Sequence, residues 1–354
     1  MRTSSRLFVG LLAACMFAAI SSATRDALAG KPIPSGKDAY TNAQFQKDLR
    51  AYSLHLLDFY DKHTQDPAEA RAAAKAFCLA YLHRAFGEAG APTWKELSEQ
   101  ADKLLAVGEA DPLVLANIGQ AKLEAGKGSE AKAILTKAHK GFSSSSYPAC
   151  WKYRGCNRLR MAFMATNTPP EEWHAYRYDF VRLIVDMMAE AVDEPANRRF
   201  LWAGIENTVQ ISDDNSPGPF ALQTAIYEAV QKAEKIDPWM KNMVNGSHHF
   251  TVGWRLRGGG TIDTVSEDGL RGFSEHLEKA SEYFTKAWEI DPKIPDAPTR
   301  MIQVSMAIGS KDLSPRDWFD RAVEAMMDYT PAYQAQGFVL AVLAYGSSDN
   351  GFIL

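Results

Sequence analysis

The chain has 354 residues, of which 46% are hydrophobic and 23% are charged, and its formal net charge is −4. This composition is that of a folded chain with enough apolar residues for a large core or an extended array. A mildly acidic chain lacks the basic surface that nucleic acids require, so we expect no nucleic-acid partner.

The N-terminus has the pattern of an export signal. Arg2 and Arg6 precede an apolar run from Leu7 to Ile20, and small residues around Ala29 offer a cleavage site. We therefore predict a signal peptide at residues 1–29 and a periplasmic or secreted mature protein. The run is shorter than the roughly 20 residues that a stable membrane span needs, and no later segment is long enough, so we expect no transmembrane segment.

Two features of this region leave alternatives open. Ser21–Ala23 is a second candidate cleavage site. Leu12–Cys15 resembles the lipobox of bacterial lipoproteins, which implies a lipid-anchored protein modified at Cys15. The apolar run continues past Cys15, whereas lipoproteins usually become polar there, so we rank the lipid anchor second.

Three cysteines follow the predicted cleavage site: Cys78, Cys150 and Cys156. Export places them in an oxidising compartment, where Cys150 and Cys156 would close a short loop as a disulfide. The alternative is that both remain thiols. Cys78 lies on an apolar helical pattern and is expected to be a buried thiol. The sequence has no four-ligand set with zinc spacing, and we expect no metal or other cofactor.

Helical patterns follow a short lead rich in glycine, proline and serine. A helix is predicted from Pro67 to Phe86, and a later one from Pro295 to Gly309. Few β-branched runs alternate with polar residues, so strands should be rare. The stretch 240–265 is predicted to be irregular. Breaks between helices are expected at Asp111-Pro112, Gly126, Ser143–Ser146, Pro169-Pro170 and Ser216–Pro219.

The segment that begins at Pro112 has the residue pattern of a tetratricopeptide repeat: Leu115, Ile118, Gly119, Ala131, Leu135 and Ala138. It resembles one such unit, in which Gly119 and Ala131 let two antiparallel helices approach and Leu135 fills the gap. Gly126 falls in the turn. Lys122 is a departure, because the repeat has a tyrosine-like residue there.

A second match covers the latter half of a repeat, at Ala280, Phe284, Ala287 and Pro292. The segment 286–292 also echoes 232–238, and each is expected to end a helix at Asp-Pro. The resemblance implies an all-α fold, an α-α superhelix of degenerate tetratricopeptide-like hairpins. We divide it into an N-terminal helical region at 37–165 and a C-terminal repeat region at 166–354, which contains the irregular loop at 240–265.

Residues from about 244 to 333 resemble a bacterial family of unknown function with helical repeats. The matching residues are Trp254–Gly260, Leu277–Ala280, Ala287-Trp288 and Met301-Ile302. The family implies no activity, so this resemblance concerns the fold alone.

The predicted loop is the first candidate for a site, since loops carry function more often than packed helices do. If it is extended, Arg255 and Arg257 share a face and can hold an anion, with Trp254 beside them. The alternative is that both arginines pair with acids while Trp254 fills the core. The adjacent His248 and His249 would point to opposite faces, and we expect no joint metal site there.

A second candidate is a series of aromatic and arginine side chains, a mixture that is enriched at protein interfaces. The same residues also occur in ordinary helix packing. They are Trp151, Tyr153, Arg154, Arg158, Arg160, Trp173, Tyr176, Arg177, Tyr178 and Arg182.

No motif of known catalytic chemistry occurs: the sequence has no Gly-x-Ser-x-Gly, no P-loop, no His-Glu-x-x-His and no Gly-x-Gly-x-x-Gly. We therefore expect a binding scaffold and not an enzyme, with a protein, a peptide or an envelope component as its partner. One alternative is a helical envelope enzyme that uses the loop at 248–260. Another is a structural subunit of a periplasmic assembly.

Overall fold

A computed structural model describes residues 40–55, 57–64, 68–210, 222–260, 264–309 and 313–346. Over these residues the chain is all-α and has no strand, which confirms the all-α part of the prediction. None of the described helices combines the length and the apolar character needed to cross a membrane. The predicted signal peptide at 1–29, with Cys15, lies outside the described residues.

The helices are α1 (Asn42–His55), α2 (Leu57–His63), α3 (Ala68–Ala85), α4 (Trp94–Ala106), α5 (Pro112–Glu124), α6 (Gly128–Ser143), α7 (Ala149–Ala165), α8 (Pro170–Asp193), α9 (Arg198–Gln210), α10 (Leu222–Lys232), α11 (Pro238–Arg257), α12 (Glu267–Ile290), α13 (Asp296–Ile308), α14 (Pro315–Ala325) and α15 (Thr330–Gly346).

The chain divides into two compact units. The first is Ala43–Lys241, and the second contains Asn42 and the described residues from Asn242 onward. The division falls within α11. The boundary that we predicted at residue 165 separates α7 from α8, two helices that pack on each other inside the first unit.

Consecutive helices of the first unit pack on one another from α2 to α8. In addition, α3 packs on α5, and α5 packs on α7. Helix α5 therefore lies between α3 and α7, and side chains from these three helices meet on one side of the unit. Large buried side chains of this unit include Tyr60, Phe142, Tyr153 and Trp202.

Two helices, α5 and α6, follow Pro112 and pack on each other, with Gly126 in the turn between them as expected. Asp111 caps α5 by accepting the N–H groups of Leu113 and Val114. Gly126 has a φ of +79° in the turn, a backbone conformation that glycine adopts without strain.

The departure from the repeat pattern at Lys122 also has a structural role. Its side chain is fully buried, and its ammonium group pairs with Asp102 of α4 and, at 3.0 Å, with Glu130 of α6. The lysine thus joins three helices at a position where the repeat has an aromatic residue. Both carboxylates remain half-exposed, so water reaches the outer side of the pairs.

The predicted irregular stretch at 240–265 is wrong for most of its length, because α11 runs through it to Arg257. Its glycines are packing positions and not breaks. A Cβ at Gly246 would lie 2.6 Å from Cε1 of Phe284, and one at Gly253 would lie 3.3 Å from Cβ of His276. Small residues are required where two helices approach this closely, and they are tolerated inside a helix at a cost of about 1 kcal/mol each.

The two Asp-Pro segments differ in what they do. Helix α12 ends at Ile290, immediately before Asp291, as predicted. Helix α10 ends earlier, at Lys232. Asp237 instead begins α11, where its carboxylate accepts the N–H of Met240 at 3.0 Å. The predicted helix end at Asp237 is therefore wrong, because the side chain of this aspartate is used as an N-cap.

The second unit joins residues that are far apart in sequence. The N–H of Met327 donates to the carbonyl of Tyr40 at 3.0 Å, and the N–H of Asn42 donates to the carboxylate of Asp328 at 2.6 Å. Helix α13 ends at Ile308 and is capped by Gly309, which is left-handed with a φ of +60°, in agreement with the predicted helix end.

Candidate functional site

The predicted site residues Trp254, Arg255 and Arg257 all lie on the last turns of α11. Because successive residues of a helix are about 100° apart, Arg255 and Arg257 point in different directions and not to one shared face. Arg255 is exposed. The predicted shared anion site therefore does not form, since it required an extended backbone.

Arg257 is held by its own helix end. Its guanidinium lies 5.6 Å from the ring centroid of Trp254 and 5.9 Å from that of Phe273. It donates to the carbonyls of Gly258 and Gly260 at 3.2 and 3.1 Å. These are structural contacts that close the C-terminus of α11.

The predicted disulfide between Cys150 and Cys156 is also wrong, because both residues are buried free thiols on α7. Six helical residues span about 9 Å along the axis, whereas the Cα atoms of a disulfide lie within about 7 Å. Cys78 is a buried thiol, as predicted. Burial raises the pKa of all three thiols to about 12.

Helix α7 carries four basic side chains and no acidic one: Lys152, Arg154, Arg158 and Arg160. None of the four forms an ion pair with any residue that the structure describes. Other arginines differ; Arg182 on α8, for example, pairs with Asp179 and Asp186. All four side chains are partly buried, and such a group of cations without an acidic partner is unusual, because charges that lose contact with water are normally paired.

Arg158 is the most constrained of these cations. It is partly buried, and it donates to the side-chain oxygen of Asn117 at 2.8 Å and to the hydroxyl of Tyr81 at 2.9 Å. Its guanidinium lies 5.1 Å from the centroid of the Tyr81 ring. Asn117 is fixed in turn by a hydrogen bond to Cys78 at 3.3 Å. Residues of α3, α5 and α7 thus hold the guanidinium in place with neutral partners only.

Electrostatics at Arg158 favour an added anion. Burial lowers the pKa of this guanidinium, and the charge of Arg154 lowers it further. An arginine remains charged despite such shifts. The free-energy cost of burying its charge therefore favours the binding of an anion beside it. The carboxylates of Glu109 and Asp111 raise the pKa of the neighbouring Cys78, and the hydrogen bonds of Arg158 go to Asn117 and Tyr81.

Arg154 lies one turn before Arg158 on the same face of α7, since residues four apart on a helix are neighbours. Its guanidinium stacks 5.0 Å from the ring centroid of Trp151. It is close enough to Tyr52 and Cys150 to oppose the rise that burial causes in their pKa values. The Cβ atoms of Arg154 and Arg158 therefore lie about 6 Å apart, and the charge of Arg154 lowers the pKa of Arg158.

Aromatic rings extend this basic surface toward α4. The Tyr81 ring lies 5.8 Å from that of Trp94, and the guanidinium of Arg84 lies 5.4 Å from Trp94. The Nε of Arg84 is buried and has no hydrogen-bond partner in the described structure. We call the group of Tyr81, Arg84, Trp94, Asn117, Arg154 and Arg158 the arginine surface.

A half-open cavity of about 240 Å³ lies at the N-terminus of α7, lined by Tyr52, Cys150 and Glu190 among others. Glu190 accepts the N–H of Ala149 at 2.6 Å, so its carboxylate caps the helix. Burial raises the pKa of Glu190. The cavity is smaller than most ligand sites, and its buried acid already has a structural role.

The arginine–aromatic series identified in the sequence thus contributes Arg154 and Arg158 to this surface, with Trp151 stacked behind Arg154. The sequence analysis missed Tyr81, Arg84, Trp94 and Asn117. No local signal connects these residues with α7, because their partners lie far away in sequence. In comparisons with models of known families, with characterised proteins and with solved structures, no match to this chain was found.

Proposed function

We propose that this protein is an exported helical-repeat scaffold that binds an acidic segment of a protein or peptide on the arginine surface. The observation that carries the proposal is the set of partners of Arg158: a held, partly buried guanidinium whose hydrogen bonds all go to neutral groups. A carboxylate from a partner would supply the missing counter-charge and accept a charge-assisted hydrogen bond.

The proposed architecture is an α-α superhelix, in which α3 and α4, α5 and α6, and α7 and α8 are degenerate tetratricopeptide-like hairpins. The packing of α3 on α5 and of α5 on α7 supports this proposal, because the first helices of successive hairpins are neighbours in such arrays. The arginine surface draws Tyr81, Asn117 and Arg158 from those three helices. Repeat arrays commonly bind extended segments on the surface that these helices share.

The mature protein is proposed to act outside the cytoplasm, in the periplasm or after secretion. Sequencing the N-terminus of the protein purified from its native cell tests this step, with Gly30 as the expected first residue. An N-terminus at a lipid-modified Cys15 would instead establish the lipid-anchored alternative.

The binding proposal is tested by selecting random peptides on the purified chain that begins at Gly30. We expect enrichment of Asp, Glu or a free C-terminal carboxylate among the selected peptides. Binding should weaken by at least about tenfold in Arg158→Gln, because truncating a partly buried ion pair costs roughly 2 kcal/mol or more.

The matched control is Arg182→Gln, on the neighbouring helix α8, where the guanidinium is exposed and already paired with two aspartates. Its affinity for the selected peptides should equal that of the unmodified chain. Peptides without acidic enrichment, or equal binding by Arg158→Gln, would overturn the proposal. Far-UV circular dichroism establishes that both variants remain folded.

A further inference from the structure

Histidines of two helices meet in the second unit. Nδ1 of His249, on α11, lies 3.0 Å from Nδ1 of His276, on α12. His248 adds a third ring, 5.5 Å from that of His249. All three side chains are partly exposed, so solvent and dissolved ions reach them.

Packing fixes this pair. The His249 ring stacks on Tyr283 with centroids 5.6 Å apart and planes 3° from parallel. Gly246 and Gly253 flank His249 on α11, and both are sites of close approach to α12. The two imidazoles are therefore held on facing helices by contacts on either side of them.

The geometry suits a metal ion. Two metal–nitrogen bonds of about 2.1 Å at a right angle place their nitrogens about 3.0 Å apart, whereas a tetrahedral angle places them about 3.4 Å apart. We propose that His249 and His276 are two adjacent ligands of a divalent transition-metal ion of square-planar or octahedral preference, such as Cu²⁺ or Ni²⁺. The described residues hold no group of three or more metal-binding side chains, and water completes the coordination.

The protonation state agrees with this role. Imidazoles bind metals when they are neutral. Burial lowers the pKa of His249 to about 4, assisted by His248, His276 and Lys279, and burial likewise lowers the pKa of His276. The charge of Arg255 lowers the pKa of His248, whereas the charge of Glu275 raises the pKa of His276.

Metal binding requires no net loss of a proton. In the metal-free pair, the Nδ1–H of one imidazole donates to Nδ1 of the other. When the ion binds, that proton moves to Nε2 of the same ring. Both Nδ1 lone pairs then face the metal, and each ring remains neutral.

The test is a calorimetric titration of the tag-free, metal-free chain with CuCl₂ and NiCl₂ near neutral pH. One ion should bind per chain, and the Cu²⁺ electron paramagnetic resonance spectrum should show two imidazole nitrogen ligands. His249→Gln and His276→Gln should each weaken binding by more than about tenfold, because one of two protein ligands is lost.

The control variant is His55→Gln, which removes an exposed histidine from α1 and should leave metal binding unchanged. A metal-induced rise in Tm should occur in the unmodified chain and in His55→Gln, but not in either site variant. The proposal is overturned if the unmodified chain binds no ion, or if His249→Gln and His276→Gln bind as it does. Circular dichroism of the metal-free variants separates a lost ligand from a lost fold.

Discussion

Gly119 lies directly against the side chain of Leu135: a Cβ built on the glycine would overlap the leucine Cγ and lie 2.6 Å from its Cδ2. Leu135 is completely buried. The backbone of α5 therefore contacts a side chain of α6 with no room between them. This relationship confirms the close approach that the repeat pattern predicted.

We expect Gly119→Ala to destabilise the first unit. Overpacking costs about 1–3 kcal/mol, which exceeds the roughly 1 kcal/mol that alanine contributes to helix propensity. The free energy of unfolding, measured with urea, should therefore fall by up to about 2 kcal/mol.

The control for that variant is Gly204→Ala in α9, within the same unit. Its Cβ would meet only Met187, at an ordinary 3.8 Å. This substitution should stabilise the unit by about 0.5–1 kcal/mol through helix propensity alone. Changes of the same sign in the two variants would contradict the close packing of α5 on α6.

The ion pair between Arg198 and Asp237 should contribute strongly to the first unit. The aspartate is 1% exposed, and the guanidinium donates to both of its oxygens at 2.7 to 3.0 Å. Asp237→Ala leaves a buried cation without its carboxylate and removes the cap of α11. We expect a loss of about 3 kcal/mol in urea unfolding.

The comparison for Asp237→Ala is Asp193→Ala, which removes the partner of Lys235. That pair is equally short, at 2.6 Å, but both side chains are more than half-exposed. Its loss should change stability by less than about 0.5 kcal/mol. Similar effects in the two variants would show that burial does not set the strength of these pairs.

Cys78, Cys150 and Cys156 should be unreactive thiols. Burial raises each pKa to about 12, so very little thiolate exists at ordinary pH. Iodoacetamide should leave the native chain unmodified and should alkylate Cys78, Cys150 and Cys156 after denaturation without reductant. Mass spectrometry that finds Cys78 alone alkylated would instead establish the disulfide.

Acidification should destabilise the second unit. Burial lowers the pKa of His248 and His249 from 6.5 to about 4. Between these values the unfolded chain binds protons that the folded chain does not, so stability falls as the pH falls. The Tm of the metal-free chain should therefore decrease from near pH 7 toward pH 4.

Replacing the titrating group tests the origin of that pH dependence. His249→Gln cannot bind a proton in this range, so its Tm should fall less steeply over the same interval. Equal slopes for the variant and the unmodified chain would assign the acid sensitivity to other groups.

Local patterns predicted the helices well where local interactions decide them. The hairpin of α5 and α6 follows from a capping aspartate, a glycine turn and apolar spacing, all within a few residues. The prediction failed at α11, because glycines suggest a loop when read locally. Gly246 and Gly253 are instead required by Phe284 and His276, which lie on another helix.

The site was only half predictable for the same reason. Arginines and aromatics on α7 were visible in the sequence, but their partners were not. Arg158 contacts Asn117, 41 residues away, and Tyr81, 77 residues away. The sequence also suggested a disulfide between Cys150 and Cys156, because their short spacing would allow a closed loop. The intervening residues instead form a helix, which keeps the two cysteines apart.

The contacts of Tyr40 with Met327 and of Asn42 with Asp328 also bear on the order in which the protein folds. The first unit consists of residues 43–241, whereas the hydrogen-bond partners of Tyr40 and Asn42 are synthesised nearly 300 positions after them. During synthesis from the N-terminus, the first unit is thus complete while the second still lacks its closing segment. Truncation shortly before Met327 would leave the arginine surface intact and deprive residues 40–42 of their hydrogen-bond partners.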